Sequence, residues 1–168
     1  VRGIEPSAAL ADEARRRYGL ELFRGTVEQF PPGEPFRVVT LLDVLEHVPD
    51  PHALLSALAR LLEPGGTLVL VTPDVGSLAA RLLGGRWWHY RTAHVNFFNR
   101  RSLRRLLSGH GFEIAACRRF AWHFTAYYLA TRLLPALKGA PLQGPLKKLH
   151  LKLQLFDSLE VYARKRKE

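Results

Sequence analysis

The first 73 residues alternate between short apolar runs and longer segments in which apolar side chains recur every three or four positions. The short runs have the length and β-branched composition of strands, whereas the longer segments have the spacing of amphipathic helices. The predicted strands are VRGI, ELFRG, FRVVTLL and TLVLVTP, and the predicted helices are AALADEARRRYG and HALLSALARLLE. Strands that alternate with helices predict a doubly wound α/β sheet with right-handed crossovers.

Capping residues mark the ends of these helices. Ser7 precedes the first helix and Gly19 follows it. Asp50 and Pro51 form a typical N-cap and first position for the second helix. The glycines and proline at 64–66 predict that this helix ends there. The capping signals therefore agree with the boundaries that the periodicity predicts.

The pattern is less regular after residue 75. A short predicted helix, SLAARLLGG, leads into the aromatic and basic segment RWWHYRTAHVNFF. Asn99 is the predicted N-cap of RRSLRRLLSGHG, an amphipathic helix with Leu103, Leu106 and Leu107 on its inner face. The predicted strands FEIAACRRF and DSLEVYARKR complete the pattern.

The segment between those two strands is rich in leucine and aromatic residues and is interrupted by proline and glycine. These features predict helical pieces joined by a loop. The stretch KLHLKLQL alternates like a strand, but its leucines also fit a helix, and periodicity alone does not decide between them. We predict a single domain over residues 1–168 with a helical insertion at about 122–156.

Composition and charge limit the class of protein. A chain with 47% hydrophobic and 24% charged residues is globular, and its single cysteine, Cys117, excludes an intrachain disulfide framework. With no apolar run long enough to span a bilayer, we expect a cytoplasmic protein. Residues 1–50 hold 6 basic and 9 acidic side chains, so the net charge of +10 comes from the second part. This asymmetry fits a solvated arginine-rich face, and it leaves RNA or a membrane surface open as partners.

Polar side chains follow the predicted strands at their carboxyl ends, where ligands bind in open α/β sheets. These side chains are Glu5, Thr26, the group from Asp43 to His47, and the group from Thr72 to Asp74. We expect them to line one crevice. The richest group lies in LLDVLEHVPDP, in which His47 is either a packed or capping side chain or a base.

The acids and histidines near His47 have no strong metal-ligand spacing. Asp43, Glu46, His47 and His52 do not form a helical His-x-x-x-His pair, so we predict that no metal is bound. For RWWHYRTAHVNFF, a lid over an acceptor pocket is the first interpretation, packing on the sheet the second, and base stacking with nucleic acid the third.

Several stretches in order along the chain resemble one family. They are IEPS, GTVEQFP, VVTLLDVLEHVPDP, LLEPGGTLVLVTPD, HVNFFNRRSLRRLLSGHGFE and DSLEVYARK. Together they resemble the class I S-adenosylmethionine-dependent methyltransferases, in particular the branch that includes the ubiquinone-biosynthesis O-methyltransferases. The resemblance implies a Rossmann-like, mostly parallel sheet of seven strands whose last strand, at about 157–164, is antiparallel.

The resemblance also implies a function. The cofactor would be S-adenosylmethionine, and the methyl group would be transferred to an oxygen atom of a small-molecule acceptor. Glu5 and Pro6 would lie at the ribose, Thr26 and Val27 at the adenine, and Leu42 and Asp43 at the methionine part. His94 is the better candidate base and His47 the second.

The chain departs from the family at two places. The glycine-rich loop that follows the family's first strand has no counterpart here, so we expect an N-terminally truncated methyltransferase fold. Thr26 stands where an aspartate is common. Two alternatives therefore stay open: a non-catalytic or partner-dependent remnant, and an RNA-binding protein that uses the basic second half. Nucleic acid is the less favoured partner. The apolar segment AWHFTAYYLATRLLPAL leaves a membrane surface or a lipid-like acceptor open, and the sequence does not address the oligomeric state.

Overall fold

The computed structural model describes residues 1–133 and 143–167, which contain eight strands, six α-helices and two short 3-10 helices. Strands β1 to β8 span, in order, Gly3–Glu5, Leu22–Arg24, Phe36–Leu42, Leu62–Pro73, Phe112–Arg119, Trp122–Thr125, His150–Leu153 and Ser158–Lys165. Helices α1 to α6 span Ala8–Tyr18, Pro51–Leu61, Leu78–Leu83, Arg100–Ser108, Ala126–Leu133 and Gln143–Lys148.

The main sheet has four strands in the order β3-β4-β8-β5. Strands β3 and β4 are parallel, as expected when helix α2 connects them. Strand β8 runs antiparallel to both of its neighbours, β4 and β5. These features confirm the Rossmann-like α/β class and the antiparallel last strand that the resemblance implies.

A single leucine-rich core holds the sheet and two of the helices together. Strand β4 contributes Leu68 and Leu70, which are fully buried at the centre of the sheet. Helices α2 and α4 bury the apolar faces that their periodicity predicts. Their buried leucines are Leu54, Leu55 and Leu58 on α2, and Leu103, Leu106 and Leu107 on α4.

The predicted caps are present. The Ser7 hydroxyl accepts from the backbone N–H of Leu10, and Gly19 adopts a left-handed conformation after α1. Asp50 caps α2, and Asn99 caps α4. Helix α2 ends at Leu61, earlier than its glycines suggest, because β4 begins at once and Leu62 pairs with Phe36.

The first two strands form a sheet of their own. Strands β1 and β2 are parallel and pair only with each other among the described residues. The continuous seven-stranded sheet that the resemblance implies is therefore divided here. Strand β3 is an edge strand with two largely exposed apolar side chains, Val38 at 54% and Leu42 at 57%.

The segment at 122–156 is a mixed unit and not a purely helical insertion. Strands β6 and β7 form an antiparallel pair, and helices α5 and α6 lie between them in the chain. In KLHLKLQL, α6 ends at Lys148 and β7 follows, because the alternating residues pair with Trp122–Thr125. Residues 134–142 of the predicted insertion lie outside the described residues, and the single-domain assignment stays a prediction.

Across 1–133 and 143–167, no helix combines the length and the apolar character needed to span a bilayer.

Candidate active site

A cavity of about 560 Å³ opens beyond the carboxyl end of β3. One wall is formed by the turn after β3, a second by the loop between α3 and α4, and a third by the segment at 122–156. The residues that line it are Asp43, Glu46, His47, Trp88, His89, Arg91, His94, Trp122, Phe124, Tyr128 and Leu155. The site therefore lies where ligands bind in open α/β sheets.

The turn after β3 presents two carboxylates to the cavity. Asp43 has a φ of 53°, a left-handed conformation that is uncommon for a residue with a Cβ, and its N–H donates to the Val71 carbonyl at 3.0 Å. Leu45 is buried in the core. Glu46 is also buried, and its carboxylate accepts a hydrogen bond of 3.0 Å from the Thr72 hydroxyl.

Main-chain hydrogen bonds fasten the loop between α3 and α4 onto this turn. The N–H groups of Val95 and Asn96 both donate to the carbonyl of Glu46, at 2.9 and 3.1 Å. The Asn96 amide donates to the Val48 carbonyl at 2.6 Å. His47 Nδ1 lies 2.9 Å from the carbonyl oxygen of Ala93, which can only accept, so Nδ1 carries the proton. The loop is thus held in place by backbone as well as by side chains.

Three histidines lie side by side along the cavity. The rings of His47 and His94 meet edge to face, with centroids 4.6 Å apart. The rings of His94 and His89 are stacked at 5.9 Å. His89 and His94 are buried, and the Nδ1 atom of each finds no hydrogen-bond partner within the described part of the chain. Buried nitrogens without partners are uncommon in folded proteins, and here two of them belong to side chains in the wall of the cavity.

Burial shifts two pKa values in the cavity. Desolvation and the neighbouring Glu46 raise the pKa of Asp43 to about 6. Burial, together with His47, His89 and Arg91, lowers the pKa of His94. His94 is therefore neutral at pH 7 and able to accept a proton.

A buried carboxylate lies behind the histidine row. Asp157, immediately before β8, accepts from the indole Nε1–H of Trp87 at 3.3 Å, and His89 Nε2 lies 3.3 Å from the same oxygen. Burial opposes ionisation of Asp157, but its bonds to His89 and Trp87 outweigh this effect and lower its pKa. Asp157 is thus a fixed negative charge next to His89.

Three side chains at the cavity could hold a metal ion. The ligand atoms of Glu46, His47 and His94 lie within 4.8 Å of one another. Ligands bound to one zinc ion at about 2.1 Å would have to be closer, about 3.4 Å apart, so a small contraction would be needed. Sequence spacing near His47 missed this group because His94 comes from a distant loop. The absence of a metal stays a prediction.

Asp43, His47 and His94 are the predicted site residues that the structure brings together. Glu5, Pro6, Thr26, Val27 and Leu42 do not line the cavity. Their proposed contacts with the cofactor stay predictions.

These residues have local roles near β1 and β2. The Glu5 carboxylate accepts from the Ser7 N–H at 2.8 Å, and Pro6 is exposed. The Thr26 N–H donates to Gln29 Oε1 at 2.9 Å, and Val27 packs against the main core. The carboxylate of Glu5 keeps further acceptor capacity, because an ionised carboxylate accepts several hydrogen bonds.

Sequence reasoning missed several side chains of the cavity. His89 was not distinguished from the rest of its loop, and Asp157 was treated only as the start of a strand. The aromatic wall comes from β6 and α5. The sequence prediction treated this segment as helical, whereas in a strand alternate residues such as Trp122 and Phe124 lie on the same face.

The strand order, the antiparallel β8 and a cavity beyond β3 define a Rossmann-like methyltransferase fold. The chain belongs to the methyltransferase domain family, whose model matches residues 1–116. Membership confirms the resemblance to class I methyltransferases and implies S-adenosylmethionine as the cofactor.

Individual relatives agree with this assignment. The ubiquinone biosynthesis O-methyltransferase of Xanthomonas oryzae is 46% identical over 33% of this chain and 28% of its own length. The protein of the same name from Maricaulis maris is 37% identical over 54% of this chain and 38% of its own. A SAM-dependent methyltransferase from Methanosarcina mazei superposes with a TM-score of 0.60 at 20% identity, over 100% of this chain and 82% of its own.

The chemistry of the cavity fits this cofactor. A sulfonium is a cation, and the cavity is lined both by the carboxylates of Asp43 and Glu46 and by the aromatic rings of Trp88 and Trp122. Carboxylates and aromatic faces both stabilise a cation. The residues present therefore suit the methionine end of S-adenosylmethionine.

Proposed function

We propose that the protein transfers a methyl group from S-adenosylmethionine to an oxygen of a small-molecule acceptor. The observation that carries this proposal is the cavity beyond β3, which combines two carboxylates, three histidines and an aromatic wall in a chain of the methyltransferase family. The ubiquinone biosynthesis O-methyltransferases among its relatives support oxygen as the accepting atom.

The residues of the cavity have different roles in the proposed reaction. When bound, S-adenosylmethionine supplies an activated methyl group on sulfur. Asp43 and Glu46 attract the positive charge of the sulfonium end. His94, neutral at pH 7, is placed to take the acceptor proton, and the His47 ring packs edge to face against the His94 ring. The protein's main contribution is to orient the two reactants and exclude water.

The acceptor side of the cavity is apolar. Trp122, Phe124, Tyr128 and Leu155 form its wall, and Tyr128 and Leu155 remain about half exposed. Phe156 next to them is 59% exposed. Exposed apolar side chains beside a pocket favour an acceptor with a lipid-like part, or one that is taken up at a membrane surface. We propose such an acceptor for an enzyme that works in the cytoplasm.

The cofactor side of the cavity would need one more strand. Among the described residues, β3 has no partner on one edge and exposes apolar side chains, and β1 pairs only with β2. We propose that the working fold includes a further parallel strand between β3 and β1, followed by a glycine-rich loop that approaches the cofactor. This strand would join the two sheets into one.

Binding of S-adenosylhomocysteine tests the proposed function. Calorimetry would compare the chain as given with a version extended by the residues that precede Val1 in its gene. We expect the extended version to bind, and Asp43→Ala in that version to weaken binding about tenfold or more. The matched control, Glu34→Gln, changes an exposed carboxylate on a loop that does not line the cavity and should bind normally. No binding by either version would refute the proposal.

A further inference from the structure

A pair of histidines outside the cavity links helix α2 to the turn after α4. His52 Nδ1 lies 2.9 Å from His110 Nε2, and the centroids of the two rings are 5.1 Å apart. The two residues are 58 positions apart in the chain, so spacing near His47 did not reveal the pair. Neither histidine lines the cavity beyond β3, so the pair is not part of the proposed active site.

Ser56 holds the ring of His110 in a defined orientation. Ser56 follows His52 by one helical turn, so both side chains lie on the same face of α2. The Ser56 Oγ lies 3.1 Å from His110 Nδ1. When Nδ1–H donates to that oxygen, the neutral ring keeps its lone pair on Nε2, the nitrogen next to His52. Histidines that bind metals commonly have such a second contact, in which the other ring nitrogen donates to an oxygen.

The separation of the two nitrogens suits one class of metal ion. Two nitrogens bound at about 2.0 Å are about 2.8 Å apart when they meet at a right angle, and about 3.3 Å apart in a tetrahedron. The observed distance of 2.9 Å is nearer the first value. Right-angled nitrogen positions are typical of Cu²⁺ and Ni²⁺, and Cu²⁺ binds most tightly among the divalent first-row ions.

The two rings would have to rotate to share an ion. In a hydrogen bond the two nitrogens point at each other, whereas an ion lies to one side of the line that joins them. His52 is exposed and His110 is half-buried, so the core does not prevent this rotation. In the described part of the chain, no histidine, cysteine or carboxylate joins the pair as a third ligand within 4.8 Å. Water would therefore complete the coordination.

The charges at the start of α2 offset each other. His52 lies in the first turn of the helix, where the helix dipole is positive and disfavours a cation. The Asp50 carboxylate accepts from the N–H groups of His52 and Ala53 at 2.9 and 3.0 Å, so it places a negative charge at the same end. The affinity of the site therefore depends mainly on the two imidazoles.

We propose that His52 and His110 form a binding site for a Cu²⁺ or Ni²⁺ ion, and that Ser56 positions His110 for this role. The ion would connect the start of α2 to the turn that leads into β5. It would stabilise the folded chain, because it binds two ligands that only folding brings together. The site is separate from the cavity group of Glu46, His47 and His94, and it does not depend on the proposed function.

Calorimetric titration with Cu²⁺ in a non-chelating buffer tests the site. The starting protein carries His94→Gln, which removes one ligand from the cavity group, and we expect it to bind one ion per chain. Adding His52→Gln or His110→Gln should weaken binding about a hundredfold or more, since one of two ligands is lost, and Ser56→Ala about tenfold. His123→Gln, an exposed histidine on β6, is the matched control and should bind normally.

Urea unfolding gives a second measurement. An ion that binds only the folded chain raises its stability by mass action. Cu²⁺ at about a hundred times its Kd should therefore raise the midpoint of the His94→Gln protein and leave the midpoint unchanged once His110→Gln is added. Electron paramagnetic resonance should show coupling of the bound Cu²⁺ to two imidazole nitrogens.

Three results would overturn the proposal. The first is no binding of Cu²⁺ by the His94→Gln protein. The second is binding that His52→Gln and His110→Gln leave unchanged, because the ion would then lie elsewhere. The third is an equal loss with His123→Gln. Circular dichroism checks the fold of each variant, and His52→Gln changes an exposed side chain, so it serves if His110→Gln does not fold.

Discussion

Asp43 illustrates how one residue at the carboxyl end of a strand can be strained in two ways. It has a left-handed backbone and a half-buried carboxyl next to the buried Glu46. Its pKa of about 6 lies above the ordinary value of 3.8. The folded state therefore holds a proton that the unfolded chain releases, and stability falls as the pH rises from 3.8 to 6. The site maintains a carboxylate at pH 7 at the expense of stability.

Asp43→Asn should therefore stabilise the protein above pH 6 and much less at pH 4. One pKa unit corresponds to about 1.4 kcal/mol, and exposure of about half of the side chain screens the effect, so we expect a gain on the order of 1 kcal/mol at pH 8. Urea unfolding at the two pH values measures it. Histidine titration is common to both proteins and largely cancels in the difference.

Glu34→Gln is the control for this prediction, because Glu34 is exposed. Its effect on stability should be small at both pH values. Asparagine also tolerates the left-handed conformation, but that benefit does not depend on pH. A gain that is equal at pH 4 and pH 8 would show that the charge of Asp43 is not its cause.

The sequence indicated some residues of the site and not others. Asp43, His47 and His94 were found because they lie at a predicted strand end or in a segment that resembles the family. Asp157 also had a signal. An antiparallel strand begins at the edge where its parallel neighbours end, so a residue just before β8 must lie near the ends of β3 and β4. The pairing of Asp157 with His89 depends on how the loop folds, which spacing does not reveal.

At the scale of single elements, the local signals were sufficient for most helices. Helix α2 is an example: the Asp50 carboxylate accepts from the N–H groups of His52 and Ala53 at 2.9 and 3.0 Å, and Pro51 occupies the first turn. These bonds satisfy donors that have no partner within the helix.

Asp50→Ala should destabilise the protein by about 1 kcal/mol, since it removes the side chain that caps α2. Thermal and urea unfolding measure the loss. Asp50→Asn is the matched variant, because an asparagine oxygen caps nearly as well, and it should be close to wild type. Equal losses in both variants would mean that the negative charge, and not the cap, stabilises this end of the helix.

Elements whose form depends on a distant partner were harder to predict. Strands β6 and β7 lie 24 residues apart in the chain, from Thr125 to His150, and each is short enough to fit a helical period. Their pairing with each other determines that both segments are strands and not helices. The boundary between α2 and β4 also depends on a distant partner, because Leu62 pairs with Phe36 on β3 and therefore belongs to the strand.

At the scale of the whole molecule, the antiparallel last strand followed from the resemblance, but the division into separate sheets did not. Sequence patterns predict each strand, whereas pairing depends on which strands are available as neighbours. Strand β3 has β4 on one side, and on its other side no strand of the described chain bonds to it. Exposed edge strands with apolar side chains tend to pair with other chains.

The chain should therefore self-associate at high concentration through β3, and Val38→Lys should reduce this, because a charged side chain on an edge opposes strand pairing. Sedimentation velocity over a range of concentrations measures the association. Leu78→Lys is the matched control, because it places the same charge on an exposed apolar position of α3. Equal effects of the two variants would contradict a specific role for the β3 edge.

The way in which the loop before α4 is fastened has a consequence for evolution and engineering. The Glu46 carbonyl receives two main-chain N–H groups from Val95 and Asn96, and these bonds do not depend on side-chain identity. Exposed positions of the loop whose side chains make no hydrogen bond to its backbone, such as Thr92, can therefore be exchanged while these two bonds remain. Libraries randomised there would explore new acceptors on an unchanged frame, which makes this loop the natural place for substrate range to diversify.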